Sequence, residues 1–161
     1  QEPAVQKIFP CLWFGDQAEQ AAEFYVSVFE RSSIFEVSRY GPGAPLPEGT
    51  ALVVTVEIDG SVVRALNGGQ DIPFSDATSL VVQAETQDEV DRLWEALTAD
   101  GGAPGRCGWL KDKFGFSWQI VPERLGEVMQ QPDPAAAMRV MEALMAMDKI
   151  SLPDLEAAAR G

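Results

Sequence analysis

The sequence contains no histidine, and its 161 residues include only two cysteines and twelve basic side chains against twenty-five acidic ones. Without histidine no Ser–His or Cys–His nucleophile pair can form, and no imidazole can hold zinc, iron or nickel. Acid–base chemistry would fall to Asp, Glu, Lys, Tyr or Cys, and a protein-held metal to oxygen ligands helped by at most one thiolate. The net charge of −13 argues against nucleic acid as the main partner, because backbone binding requires a basic surface. The same charge repels an anionic membrane surface. Cys11 and Cys107 lie far apart and form no CxxC pair, a usage that fits a reduced cytoplasmic protein better than a disulfide-built secreted one. The opening QEPAVQKIFP holds no apolar stretch of the length a signal peptide needs, and nothing later approaches a ~20-residue membrane span. The chain starts at Gln1 without an initiator methionine, so a few upstream residues are expected.

What is present is globular. Hydrophobic residues make up 46% and charged residues 23%. The length suits one domain, or two small modules sharing a core. Val5–Phe14 reads as an apolar strand broken by Pro10. Asp16 is a candidate N-cap for a helix running to Phe29, with Ala18, Ala21, Ala22, Phe24, Tyr25, Val28 and Phe29 at helical spacing. Ile34–Tyr40 is a second strand, followed by the Pro- and Gly-rich loop GPGAPLPEG. Ala51–Ile58 and Ser61–Leu66 are strands joined by Asp59-Gly60, a strong hairpin signal. This half reads βαβββ.

The second half begins in the same way. Thr78–Ala84 is a strand and Gln87–Ala99 a helix stopped at Gly101-Gly102, with a short strand expected before two more at Cys107–Leu110 and Phe116–Val121. Sliding Pro10 onto Ser79 places Ala21, Phe24, Tyr25 and Val28 on Val90, Leu93, Trp94 and Leu97; laying Gly60 on Gly115 aligns the strands that follow. The repeat is one of pattern and predicts two βαβββ modules. After Pro122, Arg124–Gln131, Ala135–Met147 and Leu152–Arg160 read as three helices. Met138, Met141, Leu144, Met145 and Met147 crowd the middle one, a stripe expected to be adaptable core or a dimer contact.

Three stretches together are specific: KIFPCLWFGDQAEQAAEFYVSVF at Lys7–Phe29, ALNGG at Ala65–Gly69 and CGWLKDKFGFSWQIVP at Cys107–Pro122. They closely resemble the PhnB-like family of the vicinal oxygen chelate superfamily, the glyoxalase/bleomycin-resistance fold, many of whose members carry the name demethylubiquinone methyltransferase. The resemblance runs from about Lys7 to the C-terminus. It implies an α+β fold in which two βαβββ modules form an open barrel-like mixed sheet around a cavity, with C-terminal helices. A single domain over residues 1–161 is expected, its first module at 1–70, its second at 71–122 and a helical extension at 123–161. A homodimer is also implied.

Catalytic members of that superfamily hold a divalent metal on four residues from matching strands, typically His, Glu or Gln. Here those positions fall at Pro10 (or Phe9), Arg64, Ser79 and Gln119. Only Gln119 is a familiar ligand, and one neutral amide does not hold a divalent ion. No metal and no cofactor are expected. Methyl transfer of the usual kind needs a Gly-rich turn between a strand and a helix. ALNGGQDIP follows a strand without leading into a helix, and GGAPG at Gly101–Gly105 comes after a helix, so methyl transfer is not the expected reaction.

The candidate pocket residues are Cys11, Trp13, Arg64, Asn67, Ser79, Trp109, Trp118 and Gln119. The tryptophans, with Phe9, Phe14, Phe114 and Phe116 nearby, read either as ordinary core or as aromatic walls for a small planar or apolar ligand. Cys11 and Trp13 share one strand face, Leu12 and Phe14 the other. Asn67-Gly68-Gly69 is a loop turn or, alternatively, places an amide at a pocket mouth. Lys111 and Arg64 are the cations best suited to an anionic ligand, and Asp112 can cap its turn by bonding its own backbone. Both cysteines read as buried and inert, or as a redox pair if they converge; Tyr25 and Tyr40 read as scaffold. Two functions stand first, ahead of a structural or regulatory role through the C-terminal helices. One is a binding protein that sequesters a small molecule. The other is a lyase, isomerase or dioxygenase with an atypical metal site, or a metal-independent acid–base enzyme using Glu57, Lys111 or Cys11.

Overall fold

The computed structural model describes residues 6–161, so Val5 lies outside the described residues. Strand β1 (Cys11–Phe14) leads into helix α1 (Ala18–Val28), then β2 (Ser33–Arg39), β3 (Ala51–Ile58) and β4 (Ser61–Asn67). The order repeats as β5 (Ser79–Ala84), α2 (Gln87–Thr98), β6 (Ala103–Pro104), β7 (Trp109–Lys111) and β8 (Ser117–Pro122). Helices α3 (Leu125–Met129), α4 (Pro134–Ala146) and α5 (Leu152–Arg160) follow. The class is α+β, with two βαβββ modules and C-terminal helices. Two compact units result, one ending at Pro73 and the other beginning at Phe74.

Each unit holds an open four-stranded sheet, ordered β1-β4-β3-β2 in the first and β5-β8-β7-β6 in the second. The same order in both makes the sequence repeat a repeat of topology. In each, the first strand runs parallel to the last and the remaining pairs are antiparallel. The β3–β4 turn has Asp59 at φ 45° and Gly60 at φ 84°, the two left-handed residues that a two-residue hairpin of matching twist demands. Arg31 pairs with the Asp59 carboxylate at 2.6 Å.

Several boundaries differ from the sequence reading: the strand read from Cys107 begins only at Trp109, because Cys107 and Gly108 take positive φ, and two differences in the first module also have a visible cause. Strand β1 starts at Cys11, because Pro10 has no N–H to give a ladder; its carbonyl still accepts from the Arg64 amide at 2.9 Å. Helix α1 starts at Ala18 with Gln17 at the cap position, and neither Asp16 nor Gln17 caps it through a side chain. The Ala18 N–H instead donates to Asn67 Oδ1 at 2.8 Å, so the cap comes from the far end of β4. Helix α2 uses a local device. Thr86 Oγ1 accepts from the Glu89 amide, and Glu89 reaches back to the Glu85 amide.

The C-terminal helices pack a cluster of Val128, Val140, Ile150, Leu152 and Leu155, which Met129 and Met147 join. Met138, Met141 and Met145 point outward, so the methionine stripe divides between core and surface. Gln87 ties this cluster to α2: its amide nitrogen donates to the Ile150 carbonyl at 2.9 Å and its oxygen accepts from the Leu152 amide at 2.9 Å. Beside it, Lys149 at 2.8 Å and then Gln87 hold the Asp91 carboxyl below its ordinary value. A carboxyl whose folded value is depressed stabilises the fold above the unfolded value, and the contribution disappears as pH falls through the folded one. Gln87→Ala should cost about 1–2 kcal/mol in urea unfolding. Lys149→Ala should cost under about 1 kcal/mol at neutral pH, since the pair is half-exposed, with the difference from the parent protein vanishing in acid.

Candidate functional site

Alternation along each strand assigns every side chain of a sheet to one of two faces. In the first unit α1 lies against β3 and β4, and the face it covers carries Leu12, Phe14, Val54, Val56, Val63 and Ala65, all buried. Register then fixes the opposite face. Cys11 is level with Arg64, and Arg64 with Thr55; Trp13 is level with Leu66; Glu57 stands two residues along β3 from Thr55. Four candidates, Cys11, Trp13, Glu57 and Arg64, therefore share one face. Cys11 is exposed, which corrects its reading as a buried thiol, and Cys107 is only half-buried. Arg64 extends over the Phe9 ring, 4.8 Å from its centroid. The Trp13 indole N–H donates to the Gln70 carbonyl at 2.8 Å, and its ring occupies the space that a Cβ on Gly68 would need. Of the two glycines after Asn67, Gly68 serves this close approach, whereas Gly69 takes a positive φ of 80°.

Asn67 sits at the end of the helix-covered face and is 1% exposed. Its oxygen accepts from Ala18, its nitrogen donates to the Ala51 carbonyl at 2.9 Å, and its own carbonyl accepts the Tyr40 hydroxyl at 2.7 Å. It joins α1, β3 and the end of β2 to β4. It borders a recess of about 330 Å³ that also contains the ion pair of Arg39 with Glu19, at 2.7 Å, which raises the guanidinium above its ordinary value. Both polar atoms of the Asn67 side chain hydrogen-bond the fold.

In the second unit α2 covers the face bearing Ala84, Leu110, Trp118 and Ile120. Trp118 is 2% exposed and packs edge-on against Phe116, whose ring meets Phe74 in the same manner. Its indole N–H donates to Asp112 Oδ2 at 2.9 Å, while Asp112 Oδ1 accepts from the Phe114 and Phe116 amides. Asp112, itself 1% exposed, closes the β7–β8 turn as its sequence position suggests. Trp118 thus belongs to the core of its unit, on the side away from the other second-unit candidates.

Those candidates share the face opposite α2. Lys111 is level with Ser117 and Ser79; Trp109 is level with Gln119 and Val81. Gln119 Nε2 donates to Ser79 Oγ at 3.0 Å. Asp76, in the loop before β5, accepts from the Ser117 hydroxyl at 2.8 Å and lies 3.8 Å from Lys111 Nζ. At the sheet edge Trp109, Leu110 and Lys111, with Asp76, Pro104 and Arg106, line a groove of about 510 Å³. Arg106 makes a long ion pair, 3.7 Å to Asp148. Asp76 and Arg106 carry no local sequence signal: their roles come from chain segments folding back onto β7.

The donor chemistry does not fit a divalent metal. Proline, arginine, serine and glutamine offer two neutral oxygens and a repelling cation. Among the described residues, no three His, Cys, Asp or Glu side chains form a group able to hold one. The two glycine runs also lack the context for a methyl-donor cofactor. Gly68-Gly69 opens into an extended loop, and Gly101–Gly105 follows α2.

A family model described as 3-demethylubiquinone-9 3-methyltransferase matches residues 6–121, the stretch ahead of the C-terminal helices. Among solved structures, the chain is 34% identical to a Bacillus cereus PhnB protein described as a 3-demethylubiquinone-9 3-methyltransferase, covering 73% of this chain and 99% of that one with a TM-score of 0.68. It is similar in fold to the fosfomycin resistance protein FosX from Mesorhizobium loti, at 13% identity over 80% of this chain and 100% of that one, with a TM-score of 0.57. A glyoxylase/bleomycin resistance protein/dioxygenase domain from Frankia sp. EAN1pec matches at 16% identity over 74% and 98%, with a TM-score of 0.50. No curated protein is matched. Asn67→Ala, which strands the Ala18 amide and the Ala51 carbonyl, should destabilise by about 2–4 kcal/mol, read from the urea midpoint. Gly68→Ala should instead displace the Trp13 ring and shift its fluorescence.

Proposed function

The chain belongs to the PhnB-like family described as 3-demethylubiquinone-9 3-methyltransferase, and on that premise we propose that it binds a small molecule without the superfamily's divalent metal, as a cytoplasmic homodimer. The observation that carries this reading is the groove at the edge of the second sheet, where an indole, two cations and one carboxylate, that of Asp76, line one concave surface. Pockets that hold small ligands combine apolar walls with a few placed polar groups. Trp109 supplies a flat wall. Arg106 and Lys111 supply positive charge in a chain of net charge −13, and their ion pairs to Asp148 and Asp76 are long and exposed. The ligand class is a planar or apolar body bearing one anionic group.

The sheet faces opposite the helices extend the reading. Ser79 and Gln119 bond each other and offer an amide and a hydroxyl, while Cys11, Trp13 and Arg64 form a comparable thiol, indole and guanidinium set on the first sheet. Asn67 and Trp118 leave the ligand set, because their polar atoms serve the fold. Catalysis by Lys111, or by Glu57 or Cys11 on the first sheet, is the competing reading, and turnover distinguishes it.

The test uses anilinonaphthalene sulfonate, a planar apolar anion, with tryptophan quenching as the readout. Trp109→Ala should weaken its binding about three- to tenfold. Lys111→Ala should weaken it most at low salt. Melting temperatures should stay near that of the parent protein, and the probe should be recovered unchanged. Equal binding by both variants overturns the groove, and one divalent ion per purified chain overturns the metal-free site.

A further inference from the structure

Cys107 precedes β7 in an unusual backbone state. Its φ of 56° is left-handed, and Gly108 follows at φ 86°. Two short bonds fix the pair: the Cys107 amide donates to the Met147 carbonyl at 2.8 Å and the Gly108 amide to the Asp148 carbonyl at 2.7 Å. These bonds set the thiol over the last turn of α4. Its Sγ lies 3.4 Å from the Leu144 carbonyl and 3.9 Å from the Met145 thioether sulfur. Met145 is 61% exposed, and Met141 and Met138 continue the same outward stripe at 47% and 65%.

We propose that Cys107 and Met145, completed by Met141, form a site for a monovalent soft metal ion, Cu(I) in chemical type. Thiolate and thioether sulfurs select Cu(I) over harder ions. Two sulfurs bound trigonally at about 2.3 Å stand about 4 Å apart, which is the separation that Cys107 and Met145 already have. Met141 lies one helical turn before Met145 on the same face, and the three rotatable bonds of its side chain let it swing to the third position. On binding, the Cys107 thiol releases its proton to solvent, and the resulting thiolate neutralises the metal's charge. Nothing is oxidised or reduced. The backbone clamp on Cys107 keeps the thiol in place before metal arrives.

The experiment titrates the full chain anaerobically with the Cu(I)–bicinchoninate complex and follows loss of its colour. The protein and its Cys11→Ser variant should each withdraw one Cu(I) per chain. Met145→Leu, which preserves side-chain size on an exposed helix face, should lower the affinity by about tenfold, and Cys107→Ser by more. Melting of the metal-free variants by circular dichroism checks that the folds are kept. Withdrawal of no Cu(I) by the parent chain, or equal withdrawal by Met145→Leu, overturns the site. So does loss of binding in Cys11→Ser alone.

Discussion

In both sheets one face is taken by a helix, and the strand residues left for a ligand are those that the two-residue period places on the other. The parallel pairs β1–β4 and β5–β8 set this division, because a strand shifted by one residue would exchange its two faces entirely. With Leu12 and Phe14 under α1, Cys11 and Trp13 must stand beside Arg64. With Trp118 and Ile120 under α2, Gln119 must stand beside Trp109. The candidate site is the complement of the core.

Two buried polar side chains hold this arrangement at the strand ends. Asn67 caps a helix whose own residues do not cap it, and in the same position fixes the start of β3. Asp112 gathers two turn amides and the Trp118 indole. Each satisfies groups that would otherwise be buried without partners, so neither is free to turn toward a ligand. The price of a side chain from a distant strand capping α1 is that the helix and the end of β4 cannot form independently.

The elements were legible because their signals are local: the Asp59-Gly60 turn, the apolar stripe of α1, the repeated order of strands. The facing of Cys11 against Leu12 was legible for the same reason. What stayed hidden was non-local. Asn67 and Trp118 look like pocket residues in the sequence, since an amide before two glycines and an indole among strands suit either role. Only their partners, Ala18, Ala51 and Asp112, assign them to the scaffold. Cys11 reads as core by residue type, yet its parity on β1 exposes it. Asp76 and Arg106 reach the groove through loops, which carry no period to read.

Each parallel ladder joins the first strand of a module to its last. During synthesis β1 is made early but has no partner until the chain has been extended to Asn67, and β5 waits in the same way for β8. Leu12 and Phe14, the residues that later lie under α1, therefore spend that interval without their sheet. The module closes by a long-range event, of the kind that slows folding more than local contacts do. Once closed, it is sealed at the same residue that starts its helix, so the last strand to emerge is also the one that completes the first helix.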